Sequence, residues 1–156
     1  MNRKKNVLII EDDTSVALML ARLLERAGCS VRVADTGEQG LELALENRFD
    51  LITLDVDLPG MTGLTILQEL RQRHISRRTP IVMISGRATE GDQRNVLELG
   101  ATDYISKPFG ESEFVSWISS LVQPVPSRQN ANSSDFPDED TDTNTQGFCD
   151  APQGNQ

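Results

Sequence analysis

Short apolar runs recur along this chain, separated by stretches long enough for amphipathic helices. They are Val7 to Ile10, Val31 to Ala34, Leu51 to Leu54, Ile81 to Ile84 and a weaker Tyr104 to Ile105. These read as five strands. Between them, Val16, Leu20, Leu23, Leu24 and Ala27 form one helical stripe, with Asp13 or Thr14 as N-cap and Gly28 as the stop. A second helix runs from about Gly37 to Asn47 and buries Leu41, Ala44 and Leu45. A third follows Thr62-Gly63 and uses Leu64, Leu67 and Leu70. The fourth spans roughly Glu90 to Leu99 and stops at Gly100. The last spans roughly Glu111 to Val122, buries Phe114, Ile118 and Leu121, and ends before Pro124.

Strands alternating with helices across short loops imply right-handed crossovers and a five-stranded parallel sheet covered on both faces, a doubly wound α/β domain. Its core residues lie in 1–123. From Pro124 onward the chain has four prolines, many Ser, Asn, Asp, Thr and Gln residues, and only Phe136 and Phe148 as large apolar groups. Residues 124–156 are therefore expected as a disordered acidic tail. There are 14 basic and 18 acidic residues through Gln123, and 1 basic and 6 acidic beyond it. That balance argues against non-specific nucleic-acid binding. Cys29 and Cys149 have neither metal-like nor redox-like spacing, so no structural disulfide is expected. The basic start, followed by only four apolar residues, is neither a signal peptide nor a membrane span, which points to the cytoplasm.

In a doubly wound domain, ligands bind beyond the carboxyl ends of the strands. Glu11, Asp12 and Asp13 follow the first strand, Asp55 ends the third, Ser85 ends the fourth, and Lys107-Pro108 follows the fifth. Every strand end but the second thus supplies a polar group. Glu11, Asp12 and Asp55 converge, and like charges so close call for a divalent cation. Oxygen donors of this kind suit Mg²⁺, with Mn²⁺ as a substitute. Lys107 brings a point charge to a phosphoryl oxygen, Ser85 a hydroxyl donor, and a carboxylate serves as the nucleophile.

Over about residues 5 to 122 the chain resembles the receiver domain of two-component response regulators. The resemblance rests on Glu11-Asp12, on Asp55 with Pro59 and Gly63, on Ser85, on Tyr104, and on Lys107-Pro108-Phe109. It implies a flavodoxin-like strand order, 2-1-3-4-5, and a non-enzymatic regulator limited to its own phosphorylation and dephosphorylation. Asp55 would accept phosphate from a sensor histidine kinase or a histidine phosphotransfer protein. Asp12 and Asp55 would coordinate the metal directly, Glu11 would help through water, and Asp57 would offer its backbone carbonyl. Ser85 and Lys107 would hold phosphoryl oxygens, and Tyr104 would turn inward as Ser85 moves. The implied output surface is the fourth helix, fifth strand and fifth helix, where a downstream target docks. With no output domain read after the receiver, action by docking, by onward transfer or by competition for phosphate is expected.

Several positions depart from the commonest receiver pattern: Glu11 for Asp, Leu58 for Met, Thr62 before the glycine, and Gly86 for Ala. Thr62 can still cap the third helix, and Gly86 keeps the backbone uncrowded. Asp57 and Arg87 flank the site and bear on attack by water. Simpler roles compete at single residues. Asp13 reads mainly as a helix cap, His74 among arginines as a solvated loop, and Trp117 as partly buried rather than as a marker of the output face. Two other functions compete. Asp55-Val-Asp57 is similar to the nucleophile motif of haloacid-dehalogenase-type phosphatases, although that motif usually opens its domain, and turnover of a phosphomonoester would reveal it. A receiver-like interaction module with a vestigial pocket would show no Mg²⁺-dependent labelling.

Overall fold

The computed structural model describes residues 3–73, 78–86 and 89–122. His74, Arg77, Arg87 and everything from Gln123 onward, including the expected tail, lie outside the described residues. The elements alternate without exception: β1 (Asn6–Ile10), α1 (Thr14–Arg26), β2 (Ser30–Ala34), α2 (Gly37–Glu46), β3 (Leu51–Asp55), α3 (Gly63–Gln72), β4 (Ile81–Ser85), α4 (Glu90–Glu98), β5 (Asp103–Ser106) and α5 (Glu111–Val122). All strand pairs are parallel and the sheet order is β2-β1-β3-β4-β5, as the resemblance implies.

The period-two alternation of side chains explains why the central strands are continuously apolar. Leu8, Ile10, Ile52, Leu54, Ile81 and Met83 face α2, α3 and α4, where Ala44, Ile66, Leu67, Leu70 and Val96 meet them. Val7, Ile9, Leu51, Val82 and Ile84 face the other way, onto Leu20, Leu23 and Leu24 of α1 and Phe114 and Ile118 of α5. Burying each such aliphatic side chain is worth about 1.5–3 kcal/mol. Thr53 points into the second layer, and its buried hydroxyl has no hydrogen-bond partner.

The helix boundaries follow their capping chemistry. The Asp13 carboxylate accepts from the N–H groups of Ser15 and Val16 at 2.9 and 3.2 Å, so Asp13 and not Thr14 is the first N-cap. Thr36, Thr62 and Thr89 cap α2, α3 and α4 in the same way. Gly28 and Gly100 follow α1 and α4 with φ of 89° and 106°, the left-handed turn that stops a helix.

The run Val31 to Ala34 lies in the expected second strand, at an edge of the sheet, where only Ala34 is buried and Val33 is 42% exposed. The structure corrects the expected burial in the helices. In α2, Leu41 and Leu45 are half-buried rather than core. The helix is seated instead by Gly37, Gly40 and Ala44, and a Cβ at Gly40 would lie 2.6 Å from Ile10 Cδ1. A helix that close to the sheet turns its leucines to the flank of the layer. Val16, Leu64 and Leu121 are likewise half-buried, Ala27 is an exposed C-cap, and Ile66 joins the core.

Candidate functional site

The register of the sheet brings the polar strand ends to one edge. Glu11 follows β1 directly, and its N–H donates to the Ala34 carbonyl at 3.0 Å, which extends the pairing by one residue. Asp55 closes β3 opposite Ile84, and the next N–H, of Val56, donates to the Ile84 carbonyl at 3.1 Å. The Lys107 N–H donates to the Ser85 carbonyl at 2.8 Å. Backbone hydrogen bonds thus fix Ser85 between the strand of Asp55 and the segment carrying Lys107. The Lys107-Pro108 peptide is cis.

Gly63, at the start of α3, permits one further approach. A Cβ there would collide with the backbone of Asp55 and Val56, and the Gly63 N–H donates to the Val56 carbonyl at 3.1 Å. The loop after Asp55 is therefore folded tightly against the first turn of α3.

Carboxylate oxygens of Glu11, Asp12 and Asp55 lie within 4.8 Å of one another. Glu11 and Asp55 are buried and Asp12 is exposed. The Lys107 ammonium donates to Glu11 Oε2 at 3.1 Å and stands 3.7 Å from Asp55 Oδ2. The other Glu11 oxygen accepts from the Asp13 N–H at 3.2 Å, and Asp55 Oδ1 accepts from the Asp57 N–H at 3.2 Å. Burial and the adjacent Asp55 charge push the Glu11 carboxyl up to about 7, against the opposing pull of Lys107. Burial alone would lower the Lys107 ammonium, but its hydrogen bond to Glu11 and the charge of Asp55 leave it raised. Burial, with the Asp55 charge beside it, is thus felt at Glu11, and the hard oxygen donors of Glu11, Asp12 and Asp55 fit a small divalent cation.

Most of the expected site residues come together. Glu11, Asp12, Asp55 and Lys107 form the charged cluster, and Ser85 is buried beside it. Tyr104 is half-buried one strand away and, with Ser85, Val56, Asp57, Leu64 and Val96, lines a cavity of about 230 Å³. Asp13 caps α1, which is its expected bland role, and Trp117 is half-buried. Gly86 has open space around it, with nothing within 4 Å of an added Cβ.

Sequence reasoning passed over two features. The second strand end does supply a polar residue: Asp35 lines an open cavity with Glu11, Asp12 and Gln39. Its position directly after Ala34 was the available signal. The direct ion pair between Glu11 and Lys107 was also missed, because no spacing links residues so far apart in the chain.

The family model for the response regulator receiver domain matches residues 7–119. The chain belongs to this family. Among curated relatives, the transcriptional regulatory protein CpxR of Escherichia coli is 41% identical over 117 residues, covering 75% of this chain and 49% of the relative. The chain therefore spans about half the length of such relatives. Among solved structures, the chemotaxis response regulator CheY4 of Vibrio cholerae superposes with a TM-score of 0.72 at 28% identity, covering 76% of this chain and 99% of that one. The receiver domain of sensor histidine kinase PA1611 from Pseudomonas aeruginosa superposes with a TM-score of 0.70 at 28% identity, covering 77% and 98%. That structure has a magnesium ion coordinated in its active site cleft. This chain is thus a regulatory receiver domain of two-component signalling, and the match carries that reading rather than the phosphatase-like one. Among the described residues, no helix of the receiver domain is long and apolar enough to cross a membrane.

Proposed function

We propose that Asp55 of this receiver domain accepts a phosphoryl group from the phosphohistidine of a sensor histidine kinase or a histidine phosphotransfer protein. Residues 1–123 are the phosphoaccepting unit, with 124–156 an acidic extension. One observation carries the reading: the Lys107 ammonium stands within 4 Å of both Glu11 and Asp55 at the edge where the carboxylates converge. Phosphoryl transfer requires little covalent chemistry from a protein beyond a nucleophile. It depends on positioning and on charge placed where the transition state spreads its own.

An Asp55 carboxylate oxygen forms the new bond to phosphorus, while the phosphorus–nitrogen bond breaks and its electron pair returns to the imidazole. Lys107, already beside Asp55, is placed to accept a phosphoryl oxygen as a new partner in exchange for a carboxylate. Ser85 offers its hydroxyl from the neighbouring strand end. Glu11, Asp12, Asp55 and the Asp57 carbonyl would hold Mg²⁺, or Mn²⁺ in its place. The ion supplies charge neutralisation for the carboxylates and for the transferring group.

The output is a population shift. Phosphate favours the loop arrangement in which Ser85 has moved toward it, and it can bias the equilibrium only by that difference in interaction. The cavity between Ser85 and Tyr104 gives the Tyr104 ring room to follow. The surface of α4, β5 and α5 would then meet the downstream target. Incubation with Mg²⁺ and acetyl phosphate should add one phosphoryl mass, and Asp55→Asn should abolish it. Labelling that survives Asp55→Asn would overturn the assignment.

A further inference from the structure

α5 is tied to β5 by a contact that phosphoryl chemistry leaves unused. Asp103, the first residue of β5, accepts at Oδ1 from the Tyr104 backbone N–H at 2.8 Å. Its Oδ2 accepts from the indole Nε1 of Trp117 at 2.6 Å. Trp117 is the only tryptophan in the chain. Its ring lies 6.5 Å from that of Phe114, which stacks on Phe109 at 5.3 Å. Phe109 follows Lys107-Pro108 directly, so two routes join the site to Trp117. One runs back along β5 through Tyr104 and Asp103, and the other runs through the rings of Phe109 and Phe114.

A carboxylate is a rigid fork, so a displacement felt at one oxygen is passed to the other. The Tyr104 N–H and the Trp117 indole therefore cannot move independently while both hydrogen bonds persist. An indole N–H that shares a carboxylate with the neighbouring strand holds its helix in one azimuth, as aromatic packing alone would not. We propose that Asp103 is a positioning residue that couples α5 to Tyr104 through Trp117, so that α5 follows the state of the switch. This rests on the reading of Asp55 as phosphoacceptor and of Tyr104 as the switch residue.

The test compares the full chain with Trp117→Phe and Asp103→Ala, each incubated with Mg²⁺ and acetyl phosphate. Intact mass gives phosphoryl occupancy, and amide hydrogen exchange gives the response of each element. Trp117→Phe keeps an aromatic ring beside Phe114 and deletes the indole donor together with part of the ring area. In the wild type, phosphorylation should change α5 exchange several-fold and shift the emission of the single tryptophan. In Trp117→Phe, occupancy should match the wild type and the β5 response should persist, while the α5 response is lost. Asp103→Ala should lose the emission shift; if it fails to fold, Trp117→Phe decides alone. An α5 response in Trp117→Phe equal to that of the labelled wild type overturns the coupling and leaves Asp55 as the acceptor. A wild type that takes no phosphoryl group overturns both.

Discussion

The two ends of the sheet carry opposite charge in opposite surroundings. At the carboxyl edge, Glu11 and Asp55 are buried, and Lys107 reaches both. At the amino edge, Arg3, Arg32 and Arg48 line an open groove of about 430 Å³ together with Asn6, Ser30 and Asn47. An ion pair there, Arg3 to Asp50 at 3.4 Å, has an arginine side chain that is 71% exposed. Its length is close to that of the Lys107 pairs, yet water screens it. Proximity of charges therefore does not measure their influence. The carboxyl edge pushes Glu11 up to about 7 because its carboxyl has lost its water.

The contrast can be broken at four points. Lys107→Ala should slow Mg²⁺-dependent labelling by acetyl phosphate about 10²-fold, the usual effect of deleting one preorganised charge donor. Arg48→Ala should leave the rate unchanged, and a time course of intact mass compares them. Gly63→Ala should cost up to about 3 kcal/mol in urea unfolding, since the new methyl meets backbone, whereas Gly86→Ala should stay within about 0.5 kcal/mol.

A smaller effect is expected from pH. Because Glu11 holds its proton up to about 7 without metal, magnesium must displace that proton. Affinity should therefore rise as pH increases through 7, by about tenfold between pH 6 and 8, and Glu11→Gln should flatten the profile. Calorimetric titration at several pH values checks this, and a flat wild-type profile would show that no proton leaves Glu11 when magnesium binds. Smallest of all, Arg3→Ala should change stability by less than about 0.5 kcal/mol.

Most of the architecture was legible because local signals agreed with the global fold. The apolar runs gave the strands, and Asp13, Thr62 and Gly100 gave helix limits. Burial was less legible where position in the sheet overrides composition. Val33 looks like a core residue but sits on an edge strand, and Leu41 and Leu45 yield their place to Gly37 and Gly40. At the site, the residues on separate strand ends were readable from the rule that ligands gather beyond carboxyl ends. The pairing of Glu11 with Lys107 and the place of Asp35 depend on side-chain directions and on which strands are neighbours. Neither is written in local spacing.

Arg71 bears on how this sheet can move. From the end of α3 its guanidinium donates to the carbonyls of Gly100 at 2.8 Å and Thr79 at 3.1 Å, two residues past α4 and two residues before β4. One side chain thus staples three segments at the rim remote from Asp55. Like the ribs of a fan pinned at the handle, β4 and β5 are restrained from sliding at that rim, while at the phosphoryl end the Lys107 N–H joins them through the Ser85 carbonyl. A displacement of Ser85 would therefore be expressed as a tilt about the pinned rim rather than as a slide of β4 past its neighbours.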